Sequence, residues 1–456
     1  MQMTDEQKKK LNNTKKDKEE LNTKELGDEI LYSNRNITGS GRNIISDNTG
    51  ETYIYNLQKG FWEWRNSIKL LEHVINQKLG YQTSSGLVSE VVKYIQRESY
   101  KDYLLRDITK EGYVCLDNGV LNLNKMERVN QSPNFCFTYN IPVAYDPTAD
   151  PELFRTYLRQ INPKNVETIE EEIGLILCNG YPIKKLIYAL GKPHSGKSTL
   201  YKILMNWLGV DNYSSISIHQ LGETFINADI YDKRANFNSE TTYKLTLGHI
   251  GTLKAFTGGG IDSVTLQKKH KDPFKCINIA KLFFAGNGIP NIDTDKVDDA
   301  FYGRWQIDEY PYTFPIDDII VPKYSTWTMK SAILNSAISG YKRLKENKWH
   351  FTNETPFDTV VESFEGAVYE LDTFDKWLSN TYQSCDGEHY EFASDMFRNC
   401  REWHEQQGLK TYPLNITEFG KRMTSQKLIP VSKCQPLKDG HQQYAYRGIK
   451  IRQQDG

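Results

Sequence analysis

The stretch GKPHSGKSTL, Gly191–Leu200, gathers the residue types that hold a phosphate chain. Gly191, Gly196, Lys197 and Ser198 fit the spacing G-x-x-x-x-G-K-[ST]. Glycines let backbone N–H groups wrap phosphate oxygens, and the N-terminus of a following helix adds a favourable dipole. In such a loop Gly191, His194, Ser195, Gly196 and Thr199 line the phosphates of a nucleoside triphosphate. Lys197 reaches the β- and γ-phosphates, and Ser198 ligates Mg²⁺. A chance glycine-rich turn would lack flanking structure. Here KKLIYALG before the loop reads as an apolar strand and STLYKILMNWLG after it as a helix.

Hydrolysis needs an acid beyond the loop. RANFNSET, Arg234–Thr241, reads as a strand ending near Glu240. A carboxylate there can polarise water and help hold Mg²⁺; it can equally be a helix N-cap or a surface acid. Ser239 stands where many ATPases carry an aspartate, so metal ligation by that residue is water-mediated at most. KLFFAGNGIP is an apolar strand ending in Asn287, which could sense the γ-phosphate or simply make a turn with Gly288. In DDAFYGRWQIDEYPYTF, Arg304 is either a trans-acting arginine finger or half of a structural ion pair. Between Glu240 and Asn287 lie three glycines, the strand SVTLQ and the charged stretch KKHKD. Lys268, Lys269, His270 and Lys271 on a hairpin tip would suit DNA phosphates, or form a solvated turn.

The elements that must position these residues follow from texture and length. A chain of 456 residues holds two or three domains. Its formal net charge of −1 excludes a general polycation, so nucleic-acid binding must come from local patches. The seven cysteines include no C-x-x-C pair and read as reduced thiols, neither a disulfide frame nor a zinc site. MQMTDEQKKKLNNTKKDKEEL has no apolar leader, and no run suits a membrane span, so a cytoplasmic protein without a membrane partner is expected. Residues 1–50 read as a flexible polar arm. Residues 51–180 read as a mixed α/β and helical domain, with a hairpin turning at Asn118-Gly119 and an amphipathic helix in ETIEEEIGLILCNGYP. Residues 181–348 alternate strands and helices, the pattern of an α/β core with a mainly parallel sheet. Residues 349–370 read as a linker.

In residues 371–456, TFDKWLSNTY, ASDMFRNCREWHEQQG and NITEFGKRMTSQKL are helical, and a hairpin turns at Asp439-Gly440. Three helices and a hairpin make the winged-helix plan. Lys421, Arg422, Lys438 and Arg447 would face duplex DNA, or the unit would dock on neighbouring subunits.

The order of these motifs resembles the superfamily 3 helicases: loop, acidic strand, TGGG with a basic hairpin, FFAGNGIP, then AFYGRW. Within them it is most similar to the C-terminal helicase part of poxvirus-type and phage primase-helicases, above all to the Rep replication initiators of staphylococcal pathogenicity islands and related mobile elements. LDNGVLNLNK, IPVAYDPTADPELFRTYL and EEIGLILCNGYPIKK fit that family's preceding domain, so the resemblance covers roughly 50–450. It implies a P-loop AAA+ ATPase core working as a homo-oligomeric ring, a hexamer, that uses ATP and Mg²⁺ to unwind DNA in a bacterial host cell. Lys197 and Ser198 carry over as Walker A, Glu240 as the Walker B acid, Asn287 as sensor and Arg304 as trans-acting finger. Lys268–Lys271 become the hairpin tracking single-stranded DNA, and the C-terminal unit the reader of origin duplex. A primase or other replication protein is a further expected partner. Besides Ser239, Gly303 departs from the pattern, standing where a second arginine often precedes the finger. Two rivals are an ATP-gated DNA-binding regulator without unwinding, and a primase-helicase with its own synthesis. Against the second, no acidic polymerase-type triad is seen before residue 180.

Overall fold

A computed structural model describes residues 23–32, 43–80, 83–239, 244–260, 262–292, 297–385, 389–407, 415–426, 429–438 and 440–452, without side chains at 244, 366–372 and 425. The chain forms two compact units, Met1–Gly288 with Asp293–Val360, and Ile289–Ile292 with Val361–Gly456.

The first unit is built on a five-stranded sheet. Its order across the sheet is Trp305–Tyr310, Leu186–Gly191, Lys281–Gly286, Ala235–Asn238, Tyr213–Ser214. By position along the chain that is 5-1-4-3-2, and every neighbouring pair is parallel. Central parallel strands are covered on both faces, so they read as apolar runs. Lys281–Gly286 is accordingly buried at all six positions. Helix Lys197–Leu208 buries Leu200, Ile203, Leu204, Trp207 and Leu208 in the core beside this sheet. The sheet thus matches the expected α/β core.

Helix Val166–Ile176 departs from the expected amphipathic pattern, because beyond exposed Glu167 it is buried all round, Glu170, Glu171 and Glu172 included. Glu170 is paired by Arg155 Nε at 2.6 Å and Arg343 Nη2 at 3.1 Å, and Glu171 by Arg343 Nε at 2.7 Å. Paired, hydrogen-bonded carboxylates tolerate burial that lone ones do not. The helix packs on Trp327–Glu346 with almost no space between backbones. A Cβ on Gly340 would collide with the main chain of Glu170 and Glu171, and one on Gly174 with that of Tyr341 and Ala337.

Ahead of the sheet stand two antiparallel three-stranded sheets, Ile44–Ser46/Thr52–Asn56/Phe61–Glu63 and Tyr113–Leu116/Gly119–Asn122/Glu127–Val129. The second contains the expected hairpin, but Leu116 pairs with Gly119, so it turns at Asp117-Asn118, one residue earlier than expected, and Gly119 opens the next strand. Two expected boundaries are corrected. Residues 23–32 form a helix, and its Leu26, Ile30 and Leu31 share an apolar cluster with Leu71, Ile75, Val91 and Ile95, so this part of the expected arm is a packed helix. The break expected at 180/181 is absent, since one hydrophobic core runs from Val114 through Ile187 and Leu204 to Phe351.

In the second unit, helix Phe357–Thr381 continues through the expected linker. Helices Ala393–Gln406 and Ile416–Ser425 follow, and strand Ala445–Arg447 pairs with both Tyr390–Phe392 and Ser432–Cys434. Phe374, Trp377, Met396, Phe419, Met423 and Ile449 make its core. Leu437–Lys438 pairs with His441–Gln442 across the expected turn, whose Asp439 lies outside the described residues. The seven cysteines are free, and among the described residues no helix is long and apolar enough to cross a membrane.

The helix crossing gives a stability prediction. Gly340→Ala should cost about 3 kcal/mol, the upper end of the usual range for forcing atoms into a packed contact, because the added methyl meets main chain. Gly86→Ala, with nothing within 4 Å of the added methyl on helix Ser85–Glu98, should instead stabilise by a few tenths to ~1 kcal/mol. Shifts of the urea midpoint in opposite directions check both.

Candidate nucleotide-binding site

Strand Leu186–Gly191 runs into a loop that delivers helix Lys197–Leu208. His194 and Gly196 take left-handed backbone, at φ 63° and 92°. A Cβ on Gly191 would stand 2.5 Å from Tyr310 O, and one on Gly196 2.9 Å from Ile161 Cγ2, so the loop needs glycine at both ends. Phe314 N donates to His194 O at 2.8 Å and ties down the loop's crown.

The Lys197 ammonium donates to Gly191 O at 2.5 Å, Lys192 O at 2.9 Å and Ser195 Oγ at 2.8 Å. Lys197 is 6% exposed, and burial lowers its pKa. These loop oxygens hold the ammonium at the mouth of the loop, where phosphate oxygens would replace them. Ser198 is exposed on the first helical turn and Thr199 half-buried. The unbonded N–H groups of a helix start point toward the same place. The donor set fits a triphosphate, and the Ser198 hydroxyl would hold Mg²⁺.

The neighbouring strands bring further groups to this edge. Gly286 pairs with Leu190, so exposed Asn287 emerges beside the start of the loop. The Tyr188 hydroxyl donates to Gly288 O at 2.6 Å and fixes the turn. Ser239 is exposed just beyond strand Ala235–Asn238 at the same edge, whereas Glu240 lies outside the described residues. Arg304 is elsewhere. It precedes Trp305, which pairs with Leu186, while Tyr310 pairs with Gly191. A six-residue strand therefore separates Arg304 from its own loop, roughly 20 Å at 3.3 Å per residue. Its guanidinium donates to Ala300 O and, at 3.5 Å, to Lys254 O. Burial holds its pKa below the usual arginine value despite Asp262 and Asp298 nearby.

A buried carboxyl pair beneath the loop escaped the sequence reading. Asp308, opposite Ala189, accepts from Gln306 Nε2 at 3.1 Å and Asn165 Nδ2 at 3.4 Å. Glu172 lies against it, and burial, then the Asp308 charge, push the Glu172 carboxyl well above its ordinary range. Burial thus favours the protonated form of Glu172. The only sequence signals are an acid inside WQIDEY and the third glutamate of EEE, neither distinctive.

The expected DNA contacts divide. Strands Ser263–Leu266 and Phe274–Ile277 form the hairpin, with Lys269 and His270 exposed at its tip. Lys268 is less open: its side chain is 18% exposed, pairs with Glu51 and stands 4.2 Å from the Trp64 ring centroid. Lys271 also pairs with Glu51. In the second unit Lys421 and Arg447 are exposed. Arg422 faces Asp375 at 3.7 Å over the Phe374 ring, and Lys438 pairs with Asp395 at 2.5 Å, so both cations are engaged within their own unit. Among the described residues no cluster of three His, Cys, Asp or Glu could hold a metal ion.

Residues 31–163 match the family described as D5 N terminal like, and residues 189–304 a family of unknown function, DUF5906. A Sputnik virophage protein named "Putative helicase V13" is 23% identical over 379 residues, covering 75% of this chain and 47% of its own length. The chain thus spans about half the length of that curated relative. Two solved structures of the NrS-1 C terminal region, at 11% and 10% identity, each cover 89% of this chain and 95% of their own, with TM-score 0.44.

The carboxyl pair yields a pH prediction. A carboxyl whose folded pKa is raised contributes full stability below its ordinary value of 4.5, and loses it as pH rises toward the folded value. The wild type should lose more thermal stability than Glu172→Gln between about pH 5 and about pH 8. Parallel Tm slopes would contradict a proton held on Glu172.

Proposed function

We propose that this chain is an ATP-dependent replicative DNA helicase of the superfamily 3, AAA+ type, a replication initiator acting as a hexameric ring. The observation that carries the reading is the parallel order 5-1-4-3-2. It sets the glycine loop on the first strand, between the fifth and the fourth, a polar tip on the adjacent fourth, and an arginine at the far end of the fifth. Roughly 20 Å from its own loop, Arg304 can serve a nucleotide only on another subunit. The virophage relative's name and the matched D5 segment support the same reading.

ATP would enter between subunits. Lys197 exchanges its loop oxygens for those of the β- and γ-phosphates. Glu240 takes a proton from the attacking water, Asn287 senses the γ-phosphate, and the neighbour's Arg304 stabilises charge on the transferring group. Mg²⁺, held by Ser198 and Glu240, supplies charge neutralisation on the phosphates. Hydrolysis shifts the interface and carries the hairpin Lys268–Lys271 along one strand. The second unit, read as a winged helix, holds origin duplex through Lys421 and Arg447, with Arg422 and Lys438 joining only if their acids release them.

ATPase and strand-displacement assays on a forked duplex test this. Lys197→Ala should lose on the order of 100-fold or more in hydrolysis. Arg304→Ala should lose roughly 10³-fold, the lower range for a missing finger. A mixture of the two inactive variants should regain part of the activity, because one supplies the loop and the other the finger. Hydrolysis without strand displacement by the wild type would favour the ATP-gated regulator. No recovery in the mixture would remove Arg304 from its trans role.

A further inference from the structure

The basic hairpin carries a contact that a DNA-tracking role does not require. Glu51 sits in the turn joining strands Ile44–Ser46 and Thr52–Asn56. Its Oε1 accepts from both Lys268 Nζ and Lys271 Nζ, each at 2.7 Å. The Glu51 side chain is 12% exposed. Burial raises its carboxyl pKa, but the two lysines outweigh that and hold it below the usual range, so it stays ionised.

This seat is built on both sides. Asp47 holds the turn, donating its N–H to Glu51 O at 2.9 Å and accepting from Glu51 N at 3.2 Å. Lys268 stands over Trp64 and Tyr231, at 4.2 and 4.7 Å from the ring centroids. Trp64 is fixed in turn by donating to Asp232 Oδ2 at 3.0 Å. Lysine ammonium groups are the donors that hold the phosphodiesters of single strands, and here two of them converge on one oxygen of a monoanion. A carboxylate of the protein itself holds that position.

We propose that Glu51 is a built-in phosphate mimic, occupying on Lys268 and Lys271 the seat of a single-stranded DNA phosphate, which the strand must displace to engage the hairpin. The inference rests on the DNA-tracking reading of that hairpin. The exchange swaps one anion for another, so the lysine pair is never left uncompensated while Glu51 moves into water. The front strands thereby set a threshold against stray single strands, and DNA entry reports itself as release of the Asp47–Glu51 turn.

Fluorescence anisotropy of a labelled oligothymidylate with the full chain tests it. Glu51→Gln, which keeps size and hydrogen bonding but removes the charge, should bind about five-fold tighter, the worth of a modest ion pair. Lys271→Ala should bind more weakly, and adding Glu51→Gln to it should bring a smaller gain. If Lys271→Ala weakens binding but Glu51→Gln leaves it unchanged or weaker, the mimic is overturned while the DNA reading survives. If neither Lys271→Ala nor Lys268→Ala changes binding, the DNA reading of the hairpin fails first. Amide exchange in the wild type is independent of whether Glu51→Gln folds. Exchange across 47–51 should quicken on adding oligothymidylate, and unchanged protection at saturation would overturn the proposal.

Discussion

The structure turns on the parallel register that locks strand Leu186–Gly191 between two neighbours. Leu190 is paired to Gly286 on one side and Gly191 to Tyr310 on the other. Because all five strands run the same way, their C-terminal ends gather at one edge, where ligands of open α/β sheets bind. The glycine loop inherits its place from that edge. So does Asn287, and so does the end of strand Ala235–Asn238 with Ser239 beyond it. The same register sends Arg304 to the opposite edge, a strand's length from the loop.

A second constraint is charge held in places without water. Helix Val166–Ile176 could not be buried between the sheet and its partner helix without Arg155 and Arg343 on Glu170 and Glu171. Glu172 lies against Asp308 instead, and burial shifts it toward its neutral form. Three consecutive glutamates thus meet two solutions to one desolvation problem. With Gly174 and Gly340 bringing the backbones together, they stiffen the layer behind the loop.

The hairpin shows the reverse economy of charge. Lys268 and Lys271 lie near the tip, yet both are answered by a carboxylate from a segment more than two hundred positions earlier in the chain. Arg422 with Asp375 and Lys438 with Asp395 repeat the pattern in the second unit. Cations chosen for DNA by their place in the sequence are therefore of two kinds. Lys269, His270, Lys421 and Arg447 stand exposed, while the others must first leave a partner.

Local rules in the sequence determined the glycine loop, the strand and helix around it, the hairpin Tyr113–Asn122 to within one residue of its turn, and the alternation that makes an α/β core. Each depends on residues close in the chain: periodicity, turn chemistry and the backbone freedom of glycine. Sequence texture placed breaks at 180/181 and at 349–370 because polarity and proline change there. The tertiary structure joins across the first and runs a helix through the second, since a core forms from whatever apolar faces meet. Glu172 against Asp308, Glu51 on Lys268 and Lys271, and Arg304 a strand's length from its loop were decided only by folding. In each case the partners are distant in sequence and carry no local signature. Burial and register, which set their charge states and reach, exist only once the chain has packed.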